Sequence, residues 1–208
     1  MMKIKFESKY SVYLLMAIFL VGCATAKTIE TGFLNDYSNF KMSDKVEGLL
    51  VEKHATKKIS DYSKFMVDPI DVQLTHESKG EKLNPEQIEK MATGFHDDVV
   101  AGLKEKYEVV DTPGEGVLRI RTALTDIYPN KIYLNLHWST TLSKHGIGGA
   151  AIEAEFVDTA TGERILGVVD ARQGKPLKYT KGLSRWGHTK EVFDGWKDLL
   201  MKTLEDGR

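Results

Sequence analysis

The clearest periodicity in the chain lies between residues 88 and 103. Ile88, Met91, Phe95, Val99 and Leu103 follow at steps of three and four, which lines them along one face of an α-helix. The start of that helix is well marked. Asn84 can cap it, Pro85 suits the first helical position, and Gln87 sits where a capping box places its reciprocal partner. Its end is expected near Lys106. A second stripe of Val192, Phe193, Trp196, Leu200 and Leu204 predicts a last helix, with Thr189 as its cap.

The remaining apolar positions alternate with period two. Ile70, Val72 and Leu74 alternate with Asp71 and Gln73, so Lys64 to Leu74 reads as a first strand. Pro69 has no N–H and belongs at an edge or strand start. Tyr107 to Asp111 predicts a short strand, and Thr112 to Gly116 a turn. Val117 to Ile127 predicts a longer strand, with Leu118, Ile120 and Leu124 on one face and Arg119, Arg121 and Thr125 on the other. Ile132, Leu134, Leu136 and Trp138 alternate with Tyr133, Asn135 and His137 in a further strand. Ala151 to Asp158 and Glu163 to Gln173 predict a hairpin turning through Asp158-Thr159-Ala160-Thr161-Gly162. This order predicts an α+β fold, a mostly antiparallel sheet with two amphipathic helices packed on one face. Residues 61–208 are assigned to that single domain. Residues 23–60 are polar and weakly periodic, and read as a flexible tether and irregular segment.

The first 22 residues have a different character. Lys3, Lys5 and Lys9 precede an uncharged run from Val12 to Val21. Such a run has the length of a signal-peptide core and is too short to span a bilayer, which takes about 20 residues. Leu20-Val21-Gly22-Cys23-Ala24 follows and resembles the bacterial lipobox. The resemblance implies cleavage before Cys23, a diacylglyceryl thioether on its sulfur, and commonly a third acyl chain on the new amine. The alternative is a plain signal peptide, or an uncleaved anchor, with a chance cysteine. Ala24 differs from the aspartate that marks inner-membrane retention in Gram-negative sorting. The periplasmic face of the outer membrane is therefore the expected location.

Cys23 is the sole cysteine, which excludes an internal disulfide and a cysteine-based metal site. The formal net charge is -1; Lys3, Lys5, Lys9 and Glu7 put +2 ahead of Cys23, which leaves -3 on the remaining 186 residues. That balance gives no electrostatic case for nucleic acid.

Catalytic chemistry finds little support in the motifs. None of the six histidines shows paired ligand spacing. His137 and His145 flank a turn, with Glu153 and Glu155 near in sequence, but the six read better as solvated loop and strand residues, and no metal is expected. Glu153 and Glu155 lie two apart on a strand and so share a face. They could do acid–base work in a pocket, but a solvated sheet face is the expected setting. Gly182-Leu183-Ser184-Arg185-Trp186 lacks the second glycine of a nucleophile elbow. Gly146-Ile147-Gly148-Gly149 precedes a strand instead of a helix, so it reads as a turn and not a phosphate cradle. No cofactor is expected.

Four residues are the candidate partner-binding set. Asp170 and Arg172 share a strand face, and Arg185-Trp186 sits in a loop before the last helix. Arginine and tryptophan are enriched at binding hot spots. The alternative is an internal ion pair with a core tryptophan pinning the final helix.

Several blocks carry a wider resemblance: Gly32-Phe33-Leu34-Asn35-Asp36-Tyr37-Ser38, Tyr107-Glu108-Val109-Val110-Asp111, Ala154-Glu155-Phe156-Val157-Asp158 with Thr161-Gly162-Glu163, Val169-Asp170-Ala171-Arg172-Gln173-Gly174, and Gly182-Leu183-Ser184-Arg185-Trp186-Gly187. In these the chain is similar to bacterial lipoproteins of the domain of unknown function 3313 family. The resemblance implies a periplasm-facing lipoprotein and no reaction. Together the readings favour a non-catalytic binding or scaffolding domain, held to the membrane by acyl chains on Cys23 and facing an envelope protein or the cell wall. An envelope hydrolase using Glu153 or Glu155, and a subunit of an envelope export assembly, are the alternatives.

Overall fold

The computed structural model describes residues 30–75, 83–131, 147–175 and 184–206. In chain order the strands are β1 (Lys41–Met42), β2 (Leu50–Lys53), β3 (Lys64–Val67), β4 (Asp71–Val72), β5 (Glu108–Val109), β6 (Val117–Tyr128), β7 (Gly149–Asp158) and β8 (Arg164–Gln173). The helices are α1 (Pro85–Lys104) and α2 (Gly187–Asp206), with a short 3-10 turn at Ile59–Asp61. The expected signal peptide, Cys23, the strand expected at Ile132 to Trp138, and His76, His137 and His145 lie outside the described residues.

The described strands form one sheet in the order β1-β2-β8-β7-β6-β3-β5, with β4 also on β6. The four pairings from β1 to β6 are antiparallel. The pairings β3–β5, β3–β6 and β4–β6 are parallel. The fold is therefore α+β, and the sheet is mostly antiparallel as expected, with a parallel flank that makes it mixed. Its parallel flank follows from α1, the crossover helix that parallel strands require. Pro69 splits the expected 64–74 strand into β3 and β4, each following β6.

α1 forms over the predicted stretch, except that Met91 is only half-buried and Ala92 takes the buried position beside it. Asn84 Oδ1 accepts from the Glu86 N–H at 2.9 Å, Pro85 opens the helix, and Ile88, Ala92, Phe95, Val99 and Leu103 are buried. α2 begins three residues earlier than a cap at Thr189 would place it. Thr189 is not its cap but lies fully buried inside the first turn, where its hydroxyl donates to the Tyr128 carbonyl at 3.0 Å. Phe95 stacks on Phe193 at 4.7 Å and Phe193 on Trp196 at 5.9 Å, joining the two helices. Both pack on the sheet face that carries Leu118, Ile120, Ile152, Ala154 and Phe156.

The hairpin turn is set by Asp158. Its Oδ1 accepts from the Ala160 and Thr161 N–H groups at 2.9 and 3.3 Å, and Gly162 takes a φ of 73°.

The tether boundary needs correction. Residues 30–60 belong to the domain: β2 pairs with β8 over four residues, and Leu34 is fully buried. Periodicity missed them because β1 and β2 are only two and four residues long, and the stretch before them is not a strand.

Candidate functional site

The face opposite the helices is closed by the chain's own N-terminal segment. Residues 30–40 cross it as a strap, turning at Gly32 and Asn35, which both take positive φ (90° and 61°). Glycine has no Cβ to oppose that conformation, and asparagine tolerates it better than most residues. Gly167 leaves room for the Phe40 ring directly above β8. Phe33 lies beneath the Arg121 guanidinium at 5.2 Å from the ring centre.

Under the strap lie the two strand carboxylates. Glu153 is completely buried and Glu155 nearly so, which overturns the expected solvated face. Glu153 accepts from the Thr31 N–H at 2.7 Å and from the Tyr37 hydroxyl at 2.5 Å. Burial, and then the neighbouring Glu153 carboxylate, push the Tyr37 hydroxyl above the usual phenol range. Glu155 is held by Arg121 and by Arg164, the latter at 3.2 Å.

Arg164 ties strap and sheet together. Beyond Glu155 it pairs with Glu52 at 2.6 Å and donates to the backbone carbonyls of Leu34 and Asp36 at 2.5 and 3.0 Å. Charge continues across β6, where Arg119 grips Asp68 through Nε at 2.9 and 3.0 Å. Arg121 comes within 4.0 Å of the same carboxylate. Guanidinium and carboxylate thus alternate from Arg119 through Asp68, Arg121, Glu155 and Arg164 to Glu52. Each partner is a fixed fork or a carboxylate, the geometry in which a buried charge is best compensated.

The candidate partner-binding residues fall at two other places. Asp170 and Arg172 point to the helix side and pair at 2.6 Å. The Trp196 indole N–H donates to the same Asp170 oxygen at 2.8 Å. Asp170 is almost wholly buried, and that burial pushes its carboxyl above the usual range against the pull of Arg172 and Trp196. These two residues therefore serve the interior, and the tryptophan that pins the last helix is Trp196. Arg185 and Trp186 remain at the start of α2, with the guanidinium over the indole at 5.5 Å. Arg185 is exposed and Trp186 half-buried against the core. The Arg185 carbonyl accepts from the Asn130 N–H at 2.7 Å, so this pair is fixed to the end of β6.

His188 is also buried, contrary to the solvated reading. Its Nδ1 lies 3.1 Å from Glu191, and Gly174 packs on its ring. Among the described residues no three His, Cys, Asp or Glu side chains converge as a metal site would require, and no helix is long and apolar enough to cross a membrane.

A family model described as a protein of unknown function, DUF3313, matches residues 30–200. No curated protein matches the chain. Among solved structures the chain is similar to a PelC dodecamer from Paraburkholderia phytofirmans, at 12% identity over 74% of this chain and 95% of that one, with a TM-score of 0.42. It is also similar to the hypothetical protein CT253 from Chlamydia trachomatis, at 8% identity over 68% and 98%, with a TM-score of 0.40. A DUF4136 family protein from Bacteroides thetaiotaomicron matches at 12% identity over 81% and 100%, with a TM-score of 0.39.

Proposed function

The chain belongs to the DUF3313 family of proteins of unknown function, and from that premise we propose that it is a lipid-anchored envelope lipoprotein whose domain binds or scaffolds a partner without catalysis. The observation that carries this reading is the disposition of Glu153 and Glu155. Both carboxylates take their hydrogen bonds from the strap and from the domain's own arginines, so the pair is committed to holding the structure together. A hydrolytic acid–base pair needs the opposite, a concave site that substrate can enter.

The anchor rests on the lysine-rich start, the uncharged run and Leu20-Val21-Gly22-Cys23-Ala24. Two or three acyl chains on Cys23 would hold the protein firmly, each buried methylene contributing about 0.8 kcal/mol. Ala24 favours the periplasmic face of the outer membrane. Arg185 and Trp186 are the surface pair best suited to a partner, an envelope protein or the cell wall.

The test is cross-linking in living cells that carry a C-terminally tagged chain, beside a Cys23→Ser strain. One specific partner, recovered with the acylated protein and lost with the anchor, is the expected result. Acylated protein with no reproducible partner sinks the scaffold reading. Glu153→Gln or Glu155→Gln folding normally but failing to complement a deletion would favour the hydrolase.

A further inference from the structure

We infer that the strap-covered sheet face is the surface turned toward the lipid bilayer, and that both helices face away from it. This rests on the lipid-anchor reading of Cys23. Three observations carry it.

The first is chain length. Only six residues separate Cys23 from Glu30. Even fully extended, that stretch reaches at most about 25 Å. A domain of this size is about 40 Å across. The link is therefore too short to pass around the domain and let the opposite side approach the membrane.

The second is where the link departs. Thr31 is fastened to Glu153, in the middle of β7. Glu153 stands beside Ala123 of β6 and Val169 of β8, the two strands flanking the central one. The link thus leaves from the centre of the face and not from an edge. The strap behind it is held by buried Leu34, by Tyr37 and by Arg164, so the point of departure is fixed.

The third is the surface itself. Met42, exposed at 56%, is the one exposed large hydrophobic among the described residues. Through its register with Leu50, and that of Leu50 with Val169, it lies on the same face as Glu153. Half-buried Phe33 and Phe40 lie on this face too. The arginines there are already paired, Arg119 with Asp68, Arg121 with Glu155, and Arg164 with Glu155 and Glu52, while Glu30, Asp36 and Asp71 stand exposed. A face whose arginines are paired and which carries a few apolar side chains has no call on anionic lipid, so the orientation comes from the tether and holds on a zwitterionic surface.

The geometry also assigns the opposite side. Arg185 and Trp186 open α2, which belongs to the layer facing away from the bilayer. That layer is the one within reach of a soluble or cell-wall partner.

The experiment uses the acylated full-length protein in phosphatidylcholine vesicles carrying a lipid-borne quencher. Acylation blocks Cys23, so an introduced cysteine is the only reactive thiol. Ser38→Cys and Met42→Cys report the strap face; Asp98→Cys and Asp194→Cys report the exposed sides of α1 and α2. All four positions are exposed, so labelling should leave the fold intact, and circular dichroism checks this. The expected result is that labels at 38 and 42 lose most of their fluorescence while labels at 98 and 194 keep theirs. Equal quenching at the four sites, or stronger quenching on the helices, with acylation confirmed by mass, overturns the orientation and leaves the anchor standing. Protein found unacylated at Cys23 and indifferent to vesicles overturns the anchor reading and this inference with it.

Discussion

The hydroxyl of Tyr37 donates to the fully buried carboxylate of Glu153 at 2.5 Å, across 116 residues of sequence. This contact joins a segment with no regular structure to the centre of the sheet. It makes the strap part of the fold. Removing the hydroxyl with Tyr37→Phe leaves Glu153 one donor short in a place water cannot reach. The expected cost is about 1–3 kcal/mol, measured by urea unfolding of the Cys23→Ser form. An unchanged midpoint would mean that the strap does not contribute to global stability.

Arg164 should be more sensitive still, and to a conservative change. Lysine keeps the charge but cannot serve two carboxylates and two carbonyls with one ammonium group. Arg164→Lys is expected to lower stability by about 2 kcal/mol or more, approaching the range for a broken buried ion pair. Limited proteolysis should cut the variant first within residues 30–40. Retention of the wild-type cleavage pattern would contradict this role.

Two glycines make a matched pair of opposite sign. A Cβ on Gly167 would collide with the Phe40 ring, whereas a Cβ on Gly94 in α1 meets nothing. Gly167→Ala is expected to destabilise by about 1–3 kcal/mol through overpacking. Gly94→Ala is expected to stabilise by about 0.5–1 kcal/mol, because alanine restricts the unfolded chain and favours the helix. Thermal unfolding of both variants checks the pair, and the same sign in both would refute the account.

Asp158 links acid sensitivity to the hairpin. Burial alone would raise its carboxyl, but hydrogen bonds from Tyr62, from the Ala160 and Thr161 N–H groups and from Lys57 outweigh it and hold the carboxyl below 3.8. A group depressed in the folded state contributes stability above its unfolded value and loses it as pH falls through the folded one. Asp158→Asn should therefore flatten the decline in stability on acidification below 3.8. An equally steep decline would place the acid-sensitive group elsewhere.

Asp170 has the opposite sign. Burial raises its carboxyl above 3.8. Its contribution is fully present below that value and is lost as pH rises through the folded one. The stability of wild type relative to Asp170→Asn should thus fall as pH rises from below 3.8 and level off beyond the folded titration. Urea midpoints of the two proteins across acid pH measure it, and a relative stability that rises with pH would refute it.

The local elements were readable because their causes are local. Asn84 and Pro85 begin α1, the spacing from Ile88 to Leu103 buries one face of it, and Asp158 to Gly162 turns the hairpin. Each of these signals lies within a few residues of the structure it sets. Strand-face parity was also legible: Glu153 and Glu155 do share a face, as do Asp170 and Arg172. What pattern could not show is which polar face becomes interior. Alternation marks Glu153 and Glu155 as polar, and a polar face is ordinarily a wet one. It becomes buried because residues 30–40, more than a hundred positions away, lie across it and supply Thr31, Tyr37 and, through Arg164, the carbonyls of Leu34 and Asp36. Parallel pairing of β3 and β4 with β6 was likewise a matter of how α1 carries the chain over, not of composition. The choice between Trp186 and Trp196 as the residue seated on Asp170 was decided by the register of α2 against the sheet. Sequence alone determined both helices, the long strands with their faces, and the pattern at Cys23. Only the tertiary structure decided which charges meet, because burial and ion pairing depend on distances between segments that no local pattern encodes.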